Sequence, residues 1–539
     1  MHQTVYEAFR QSFAVAPNNP YFCVPVGAPH LPEGLEWTYA QVGGMVDRLV
    51  DAYRAAGYGP GHRVALLLES RPDHFVHVLA LNALGVSQVP VNPDYRVDEL
   101  RYLLEHSDAD LLVCRSHLME LGTKAAQLVS RRPALVDVDA WPDTLPSVQR
   151  AARGEAPSSD TEAALLYTSG TTGRPKACIV TNEHLLLFAK WYIDFGLERG
   201  SYFKLQYDVE RLMNPLPVYH VAAGALCFVT MTLMRGCFIM PGRFSASRWW
   251  KDVVSTRATL LHYIGLVPAA LLKQPVSQLE RAHEVKWGLG AGIEPSIHAA
   301  FEERFGFPNI EVWGMTEIAA FMADDHEPRK VGQRAFGRPI RDFEARIVDD
   351  DDRDVPVGTP GQLLVRRSGP NPRRGFFAGY LNDPDATETA WRDGWLHTGD
   401  IAYRDADDMF YFVDRKKNII RRSGENIAAG EIEAVLQADE AVAYVAVVAA
   451  PDELRQEEVF ACVVPRQGVA AGSDLAEQLF ELCFEKLAYY KAPGWLLFLE
   501  SLPLTDTQKV RKPSIFEPGI DPRTLPGVYD FRDRKQQKR

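Results

Sequence analysis

Helix-like and strand-like patterns alternate through most of this 539-residue sequence. Residues 38–57 carry apolar side chains at helical spacing and end at a glycine. Short apolar runs of buried-strand type then alternate with further helical stretches, in the order GHRVALLLES, DHFVHVLALNALG, SQVPV, RVDELRYLLEHSD and ADLLVCRS. This order predicts an α/β fold in which parallel sheets are covered by helices.

The alternation of strand-like and helix-like stretches continues at RATLLHYIGLVPAALLKQ and VKWGLGAG, but the pattern changes around residues 404–422. Beyond that point the sequence reads as a compact α+β unit with two helices, AAGEIEAVLQAD and LAEQLFELCFEKLA, and two strands, VAYVAVVAAP and VFACVVP. A chain of this length is also too long for one ordinary core. We therefore predict two domains, residues 1–413 and residues 414–539.

Composition excludes several classes of protein. Apolar residues make up 46% and charged residues 24%, which is typical of folded globular chains, and the net charge of -12 argues against a nucleic-acid partner. The seven cysteines are scattered, without the spacing of a disulfide framework or a zinc site. No secretory signal is visible, and the longest apolar run, residues 221–234, is too short for a membrane span. We expect a cytoplasmic protein without a transmembrane segment.

A polar stretch, YTSGTTGRPK at residues 167–176, follows the apolar run AALLY. Glycines and hydroxyl residues after a buried strand present backbone N–H groups and hydroxyls that can wrap a polyphosphate, and a lysine adds positive charge. The stretch does not match GxxxxGK[ST], and a surface loop with a solvated lysine remains the alternative. The predicted phosphate-binding residues are Thr168, Ser169, Gly170, Thr171, Thr172, Gly173 and Lys176.

This stretch resembles the phosphate-binding signature of the adenylate-forming superfamily, which holds acyl-CoA synthetases, firefly-type luciferases and the adenylation domains of peptide synthetases. Further motifs follow in that family's order: LPVYH, VWGMTE, DGWLHTGD, YFVDRKKNIIRRSGENI and LPLTDTQKVRK. The resemblance covers nearly the whole chain. It implies a large N-terminal domain of parallel-type sheets flanked by helices, with a β-barrel-like subdomain, and a small, mobile α+β C-terminal domain.

The resemblance also implies an activity. A carboxylic acid would attack the α-phosphate of ATP, release pyrophosphate, and form an acyl-adenylate that the thiol of coenzyme A opens. The segment RRSGENIAAGEIE is similar to the CoA-ligase version of its region, closest to the carnitine/crotonobetaine and medium-chain branch. Three alternatives stay open: an adenylate-forming enzyme with another acceptor (a carrier-protein thiol or an amine), a luciferase-like oxidation, and a non-catalytic nucleotide sensor. The implied partners are a small carboxylic acid, ATP, Mg²⁺ and coenzyme A, and a homodimer is left open.

Each family role maps onto residues of this sequence. Lys509 is implied to bridge the carboxylate and the α-phosphate, Glu317 to hold Mg²⁺ with Thr316 on phosphate, and His220 to line the acyl site. Asp400 would accept hydrogen bonds from the ribose hydroxyls, with Arg415 adding a ribose or phosphate contact. The remaining nucleotide-binding predictions are Gly292, Ile293, Glu294, Trp313, Gly314 and Met315. Taken singly, these residues have ordinary structural readings, such as core packing for Trp313 and turn chemistry for Asp400.

The other predictions concern domain rotation and the two remaining substrates. Lys417 aligns with the family's hinge position, and after rotation Arg421, Ser423 and Gly424 would border the pantetheine arm of CoA. Arg421 and the neighbouring Arg422 have the alternative reading of a solvated charge pair. The predicted acyl-pocket residues are Trp191, Tyr219, His220, Ala222, Ala223, Gly265, Leu266, Gly288, Gly290, Ile318 and Ala319. The sequence departs from the family pattern at Gln508, where glycine is common, at Ala177 and at Asn182.

Overall fold

The computed structural model describes residues 3–168, 175–197, 200–264, 266–293, 295–349, 351–415, 419–503, 510, 512, 515–517 and 519–535. The chain divides into two compact units. The larger unit comprises Met1–Pro93, Leu104–Tyr167 and Ala177–Lys416, and the smaller one Asp94–Leu103, Thr168–Lys176 and Lys417–Arg539. The domain bounds of 1–413 and 414–539 stay sequence-based predictions.

One sheet has seven strands, and most of its pairs are parallel. In sheet order its strands are Gly379–Tyr380, Lys176–Thr181, Glu162–Thr168, Ser87–Pro90, Arg63–Leu67, Leu111–Cys114 and Ala134–Asp137. Strands such as Leu111–Cys114 are buried along their whole length, because helices cover the faces of a parallel sheet.

A second sheet has eight strands. In sheet order they are Met322–Ala323, Asn309–Trp313, Trp287–Ala291, Leu260–Ile264, Arg211–Met213, Cys237–Ile239, Pro20–Val24 and Leu35–Thr38. The six inner strands pair in parallel and the two edge strands pair antiparallel. Since parallel strands place their carboxyl ends at one edge, this sheet brings the ends of Trp287–Ala291 and Asn309–Trp313 together.

A third sheet is antiparallel throughout and corresponds to the β-barrel-like subdomain that the family resemblance implies. Its strands, in sheet order, are Ala335–Gly337, Phe410–Arg415, Trp395–Arg404, Gly361–Arg367 and Phe343–Val348, with Trp391–Arg392 paired to Trp395–Arg404.

Helices lie between these strands as the sequence pattern predicts. Outside the smaller unit's C-terminal segment, the α-helices are Val5–Val15, Tyr39–Ala55, Pro72–Ala83, Val97–Ser107, Met119–Ala126, Asn182–Phe195, Phe228–Met234, Trp249–Ser255, Leu266–Leu272, Pro295–Phe305 and Pro384–Ala390. Short 3₁₀ turns occur at Ser116–Leu118 and Gln278–Arg281. The helix at Tyr39–Ala55 begins with a capping box, in which the backbone N–H of Gln41 donates to Thr38 Oγ1 and the backbone N–H of Thr38 donates to Gln41 Oε1.

The C-terminal segment of the smaller unit is the α+β unit expected from the sequence. Its sheet order is Glu425–Ala428, Ile419–Arg422, Gln456–Pro465, Trp495–Phe498 and Tyr529–Asp530, with Val442–Asp452 paired to Gln456–Pro465. Its helices are Ala429–Gln437 and Ser473–Lys486, with 3₁₀ turns at Tyr489–Lys491, Pro522–Thr524 and Arg532–Arg534. Together with the sheets above, this segment confirms the predicted fold class.

None of the helices in the described part of the chain combines the length and apolar character that crossing a membrane requires.

Candidate active site

A buried carboxylate, Glu311, holds the turn that follows the neighbouring strand. Glu311 lies beside Gly290 in the parallel pairing of Asn309–Trp313 with Trp287–Ala291. Its Oε2 accepts the backbone N–H of Gly292 at 3.0 Å, and its Oε1 accepts the backbone N–H of Ile293 at 3.0 Å. The phenol of Tyr263 donates to the same Oε1 at 2.9 Å. Two of these bonds fix the main chain at two predicted nucleotide-binding residues, and the third holds the carboxylate of Glu311.

The sequence analysis did not identify Glu311. Its carboxyl group is buried, and burial raises its pKa while the backbone N–H of Ile293 opposes that rise. Gly292 has a φ of +79°, in the left-handed region that favours glycine. The signal available in the sequence was a glutamate two residues before Trp313, on a strand whose other residues are mostly apolar.

The indole of Trp313 connects two motifs that lie 87 residues apart in the sequence. Its Nε1–H donates to Asp400 Oδ2 at 2.8 Å, and both side chains are buried. Asp400 lies in the antiparallel sheet opposite Arg415, and its own backbone N–H donates to Thr398 Oγ1 at 3.1 Å. The structure thus brings together the residues predicted for the adenine and for the ribose.

The glycine in VWGMTE is required by packing. A Cβ at Gly314 would lie 1.8 Å from the ring of Phe321. The chain after Gly314 then folds back, since the backbone N–H of Ile318 donates to the carbonyl of Met315 at 3.2 Å. Thr316, at the turn, is half-buried.

Glu317 is held in place by the chain segment that ends the seven-stranded sheet. The phenol of Tyr380 donates to Glu317 Oε1 at 2.9 Å, and the backbone N–H of Phe377 donates to the carbonyl oxygen of Glu317 at 2.9 Å. Tyr380 is itself paired with Cys178 across the strands Gly379–Tyr380 and Lys176–Thr181. The sequence analysis did not identify Tyr380 as part of the site.

The chemistry of Glu317 suits magnesium, which prefers hard oxygen ligands and is held by one or two carboxylates plus substrate phosphates. Within the described residues, no group of three or more His, Cys, Asp or Glu side chains is placed to hold a metal ion. A magnesium ion at Glu317 would therefore take its other ligands from phosphate oxygens and water.

Four of the predicted acyl-pocket residues lie in or just before a π-helical turn, Ala222–Cys227: Tyr219, His220, Ala222 and Ala223. The rings of Tyr219 and His220, just before it, have centroids 5.0 Å apart. π-helical turns are rare in proteins overall, and those that do occur are frequently found at functional sites. This turn is compact because a Cβ at Gly224 would lie 2.1 Å from the carbonyl oxygen of Val218. Ala223 is buried within it and Ala222 is half-buried.

A buried polar network lies behind this turn. His262 contacts the Tyr192 phenol through Nε2 at 2.9 Å and the Cys227 thiol through Nδ1 at 3.1 Å. Asn214 Nδ2 donates to Cys227 Sγ at 3.0 Å. Burial lowers the pKa of His262 to about 3, so the imidazole is neutral at physiological pH. The network holds the turn without adding a charge.

Small residues are also required at other predicted pocket positions. A Cβ at Gly290 would lie 2.3 Å from the carbonyl oxygen of Tyr263, and one at Gly288 would lie 2.5 Å from Asn309 Oδ1. Ile318 and Ala319 are fully buried.

Trp191 is also buried, and its Nε1–H donates to the carbonyl of Phe321 at 2.9 Å. It lines a cavity that contains none of the other predicted acyl-pocket residues. The place of Trp191 in the acyl pocket stays a prediction.

Arg421, Ser423 and Gly424 lie at a hairpin between Ile419–Arg422 and Glu425–Ala428. Ser423 and Gly424 both have positive φ angles, 50° and 89°, as a two-residue hairpin turn requires. Arg421 is half-buried, whereas Arg422 is buried and its Nε donates to Glu458 Oε2 at 2.7 Å. Arg422 therefore has a structural ion pair, and the CoA contact of Arg421 stays a prediction.

In the predicted phosphate-binding stretch, Thr168 ends one strand and its Oγ1 donates to the carbonyl of Lys176, at the start of the next strand, at 3.4 Å. The described residues exclude part of the predicted site: Ser169, Gly170, Thr171, Thr172, Gly173, Gly265, Glu294, Lys417 and Lys509, as well as the side chains of Leu266 and Arg415.

Comparison with known proteins matches two segments of this chain to family models. Residues 9–381 match the model of the AMP-binding enzyme family, and residues 431–509 match the model of the AMP-binding enzyme C-terminal domain. The chain is 32% identical over 512 residues to a sulfoacetate–CoA ligase of Cupriavidus necator, covering 92% of this chain and 94% of the relative. It is 29% identical over 497 residues to a crotonobetaine/carnitine–CoA ligase of Proteus mirabilis, covering 88% and 92%.

Solved structures have a similar fold. An o-succinylbenzoate CoA synthetase of Bacillus subtilis superposes with a TM-score of 0.80 at 23% identity, covering 95% of this chain and 98% of that one. An amide bond synthetase of Marinactinospora thermotolerans superposes with a TM-score of 0.78 at 25% identity, covering 94% and 98%.

Proposed function

The chain belongs to the AMP-binding enzyme family, and on that premise we propose that it is an ATP-dependent acid–CoA ligase of the AMP-forming type. One observation carries this proposal furthest. The hydrogen bond from Trp313 to Asp400 joins two motifs that the sequence assigns to the adenine and the ribose of one nucleotide. The CoA-ligase relatives, which match over about nine-tenths of both chains, support the choice of reaction.

In the first step, an oxygen of the acid forms a bond to the α-phosphorus of ATP, while the bond from that phosphorus to pyrophosphate breaks. The enzyme's task is to hold two anions in line. Glu311 fixes the main chain at Gly292 and Ile293 for the adenine, and Asp400, oriented by Trp313, accepts from the ribose hydroxyls. Lys509 brings positive charge between the carboxylate and the α-phosphate.

Magnesium, when bound, neutralises charge on the phosphate oxygens. Glu317 is its protein ligand in this proposal. Tyr380 holds one carboxylate oxygen of Glu317 and so fixes the direction in which the other points.

In the second step, the sulfur of CoA forms a bond to the acyl carbon and AMP leaves with the electron pair of the broken C–O bond. The hairpin that carries Arg421, Ser423 and Gly424 borders the pantetheine arm. In this proposal, rotation of the C-terminal domain about Lys417 brings this hairpin to the pantetheine arm. Cytoplasmic location and a homodimeric state remain predictions.

The proposed substrate is a small carboxylic acid. Alanine at positions 222 and 223 of the predicted pocket wall leaves volume for a branched, cyclic or medium-length chain. The relatives' names, sulfoacetate and crotonobetaine/carnitine, provide the first acids to test.

A second candidate function is amide formation, in which an amine takes the place of the CoA thiol. The structural likeness to an amide bond synthetase, at 25% identity, favours including it. Both readings share the first step and differ only in the acceptor.

A single assay separates these functions. Purified protein is incubated with ATP, Mg²⁺ and each of a panel of acids (sulfoacetate, carnitine, crotonobetaine and medium-chain acids), and pyrophosphate and AMP are measured with CoA, with an amine, or with neither. Acid-dependent pyrophosphate release, with AMP turnover that requires CoA, is the expected result. AMP turnover that requires the amine, and does not occur with CoA, would instead identify the protein as an amide synthetase. ATP binding without pyrophosphate release in the presence of any acid would support a function as a nucleotide sensor.

A further inference from the structure

A cavity of about 880 Å³ lies in the larger unit. Its walls come from the helix Asn182–Phe195, from residues 340–342 and from residues 367–374. Neither Glu311, Trp313, Glu317 nor Asp400 lines it. The volume is within the range of about 300–1,000 Å³ that is usual for small-molecule sites.

The cavity has unpaired cations. Lys190 and Arg374 line it, but Lys190 pairs with Asp194 at 2.5 Å and Arg374 pairs with Glu183 at 3.2 Å. In the described part of the chain, the guanidinium groups of two further lining residues, Arg341 and Arg367, make neither an ion pair nor a hydrogen bond.

Arg367 is half-buried, and burial lowers the pKa of its guanidinium. Asp342, which also lines the cavity, opposes this change by its charge but does not reach ion-pair distance. A partly desolvated cation without a bonded anion is costly, so the wall of this cavity is complementary to an added negative charge.

The cavity also has apolar lining. The rings of Trp191 and Phe195 have centroids 4.9 Å apart, and Ile340 also lines the cavity. The Nε1–H of Trp191 is already bonded to the carbonyl of Phe321, so Trp191 offers the cavity its apolar ring surface.

We propose that this cavity binds a small amphipathic organic anion. Its carboxylate, sulfonate or phosphate group lies against Arg341 and Arg367, and its apolar or aromatic body lies against Trp191, Phe195 and Ile340. The lining of this cavity is separate from the nucleotide and magnesium positions, and it shares only Trp191 with the predicted acyl pocket.

The sequence offers a matched pair of variants. Arg366 and Arg367 are consecutive on the strand Gly361–Arg367, so their side chains point to opposite faces. Arg366 pairs with Glu344 at 2.6 Å and lies over the ring of Trp395. Arg366→Gln and Arg367→Gln therefore make the same charge change one residue apart, but only Arg367→Gln changes the cavity.

The test is a fluorescence titration of the full-length protein with 1-anilinonaphthalene-8-sulfonate, an aromatic sulfonate, in saturating AMP to fill the nucleotide site. We expect one bound equivalent, an affinity about tenfold weaker in Arg367→Gln, and an affinity within about twofold of the parent in Arg366→Gln. Equal affinities in the parent and both variants, or complete displacement of the probe by AMP, would overturn the proposal.

Two further measurements keep the test decisive. Arg341 is exposed, so Arg341→Gln reports on the cavity even if Arg367→Gln fails to fold. If Arg341→Gln binds 1-anilinonaphthalene-8-sulfonate with the affinity of the parent, the assignment of the anion to this cavity is wrong. Inorganic phosphate should compete only weakly with the probe, because it lacks the apolar body. If phosphate displaced the probe at a concentration equal to that of the probe, the cavity would be a simple anion site and the proposal would be wrong.

Discussion

The phenol of Tyr380 donates a hydrogen bond of 2.9 Å to Oε1 of Glu317, a residue 63 positions earlier in the chain. Glu317 belongs to the motif VWGMTE, whereas Tyr380 belongs to a two-residue strand at the edge of another sheet. The contact gives the proposed magnesium ligand a fixed orientation before any substrate arrives. A ligand held in this way loses less side-chain freedom when the metal binds.

We predict that Tyr380→Phe weakens the dependence of adenylation on magnesium without abolishing the reaction. The ring is kept, but Glu317 loses its only side-chain donor within the described residues. The magnesium concentration for half-maximal pyrophosphate release should rise about tenfold, by analogy with other outer hydrogen bonds to metal ligands. Tyr202→Phe is the control, since Tyr202 donates to Glu327 over the same 2.9 Å away from the site. If Tyr380→Phe and the parent gave identical magnesium titrations, Tyr380 would not orient Glu317 for magnesium.

Trp313→Phe should raise the KM for ATP. Phenylalanine keeps an aromatic ring but cannot donate to Asp400, and hydrogen bonds to charged groups contribute about 1.5–3 kcal/mol, so we expect an increase of about tenfold or more. The KM for the acid should change less. Trp395→Phe, in the antiparallel sheet, is the matched control. If ATP bound equally well to Trp313→Phe, Asp400 would not depend on the indole for its position.

Glu311→Gln should impair nucleotide binding more than it impairs folding. The amide has one acceptor oxygen, so one of its NH₂ hydrogens would face the backbone N–H of Gly292 or Ile293. An unsatisfied buried group costs about 1–3 kcal/mol. We expect weaker ATP binding by calorimetry, with a smaller fall in melting temperature. Glu344→Gln, on the antiparallel sheet, is the control. A large fall in melting temperature with normal ATP affinity in the folded protein would make Glu311 a purely structural residue.

Lys509→Ala should abolish adenylate formation from acid and ATP but spare thioester formation from a supplied acyl-adenylate. The lysine charge is needed only while the two anions are brought together. The two half-reactions are measured separately, and Lys124→Ala, at an exposed helical ion pair, is the control. Equal loss of both half-reactions would contradict the assignment of the two steps to different domain positions.

Lys417→Pro should slow thioester formation more than adenylation, because proline restricts the backbone at the predicted hinge. Lys417→Ala removes the same charge while leaving the backbone free, and it should behave like the parent. Single-turnover rates of each half-reaction give the comparison. Normal turnover by the proline variant would place the hinge elsewhere.

Much of the fold could be predicted from local patterns. The helix Tyr39–Ala55 and the strand Arg63–Leu67 were evident from the spacing of apolar residues, because helices and buried strands have different periods. Glu311 and Tyr380 were not evident, since each is one polar residue in a short strand and its role depends on a partner distant in sequence. The arginines at 421 and 422 looked equivalent, and only packing showed that Arg422 is buried in an ion pair with Glu458 whereas Arg421 is half-buried.

The sequence by itself determined the family, the order of the elements and the motifs that carry the chemistry, because these depend on residue type and spacing along the chain. Only the tertiary structure decided which side chains orient the site: Glu311 for the turn at Gly292, Trp313 for Asp400, and Tyr380 for Glu317. It also placed Trp191 and Arg367 on the walls of one cavity. Hydrogen bonds of about 3 Å need donors and acceptors from distant segments to meet at defined angles, and that meeting is set by how the sheets and loops pack.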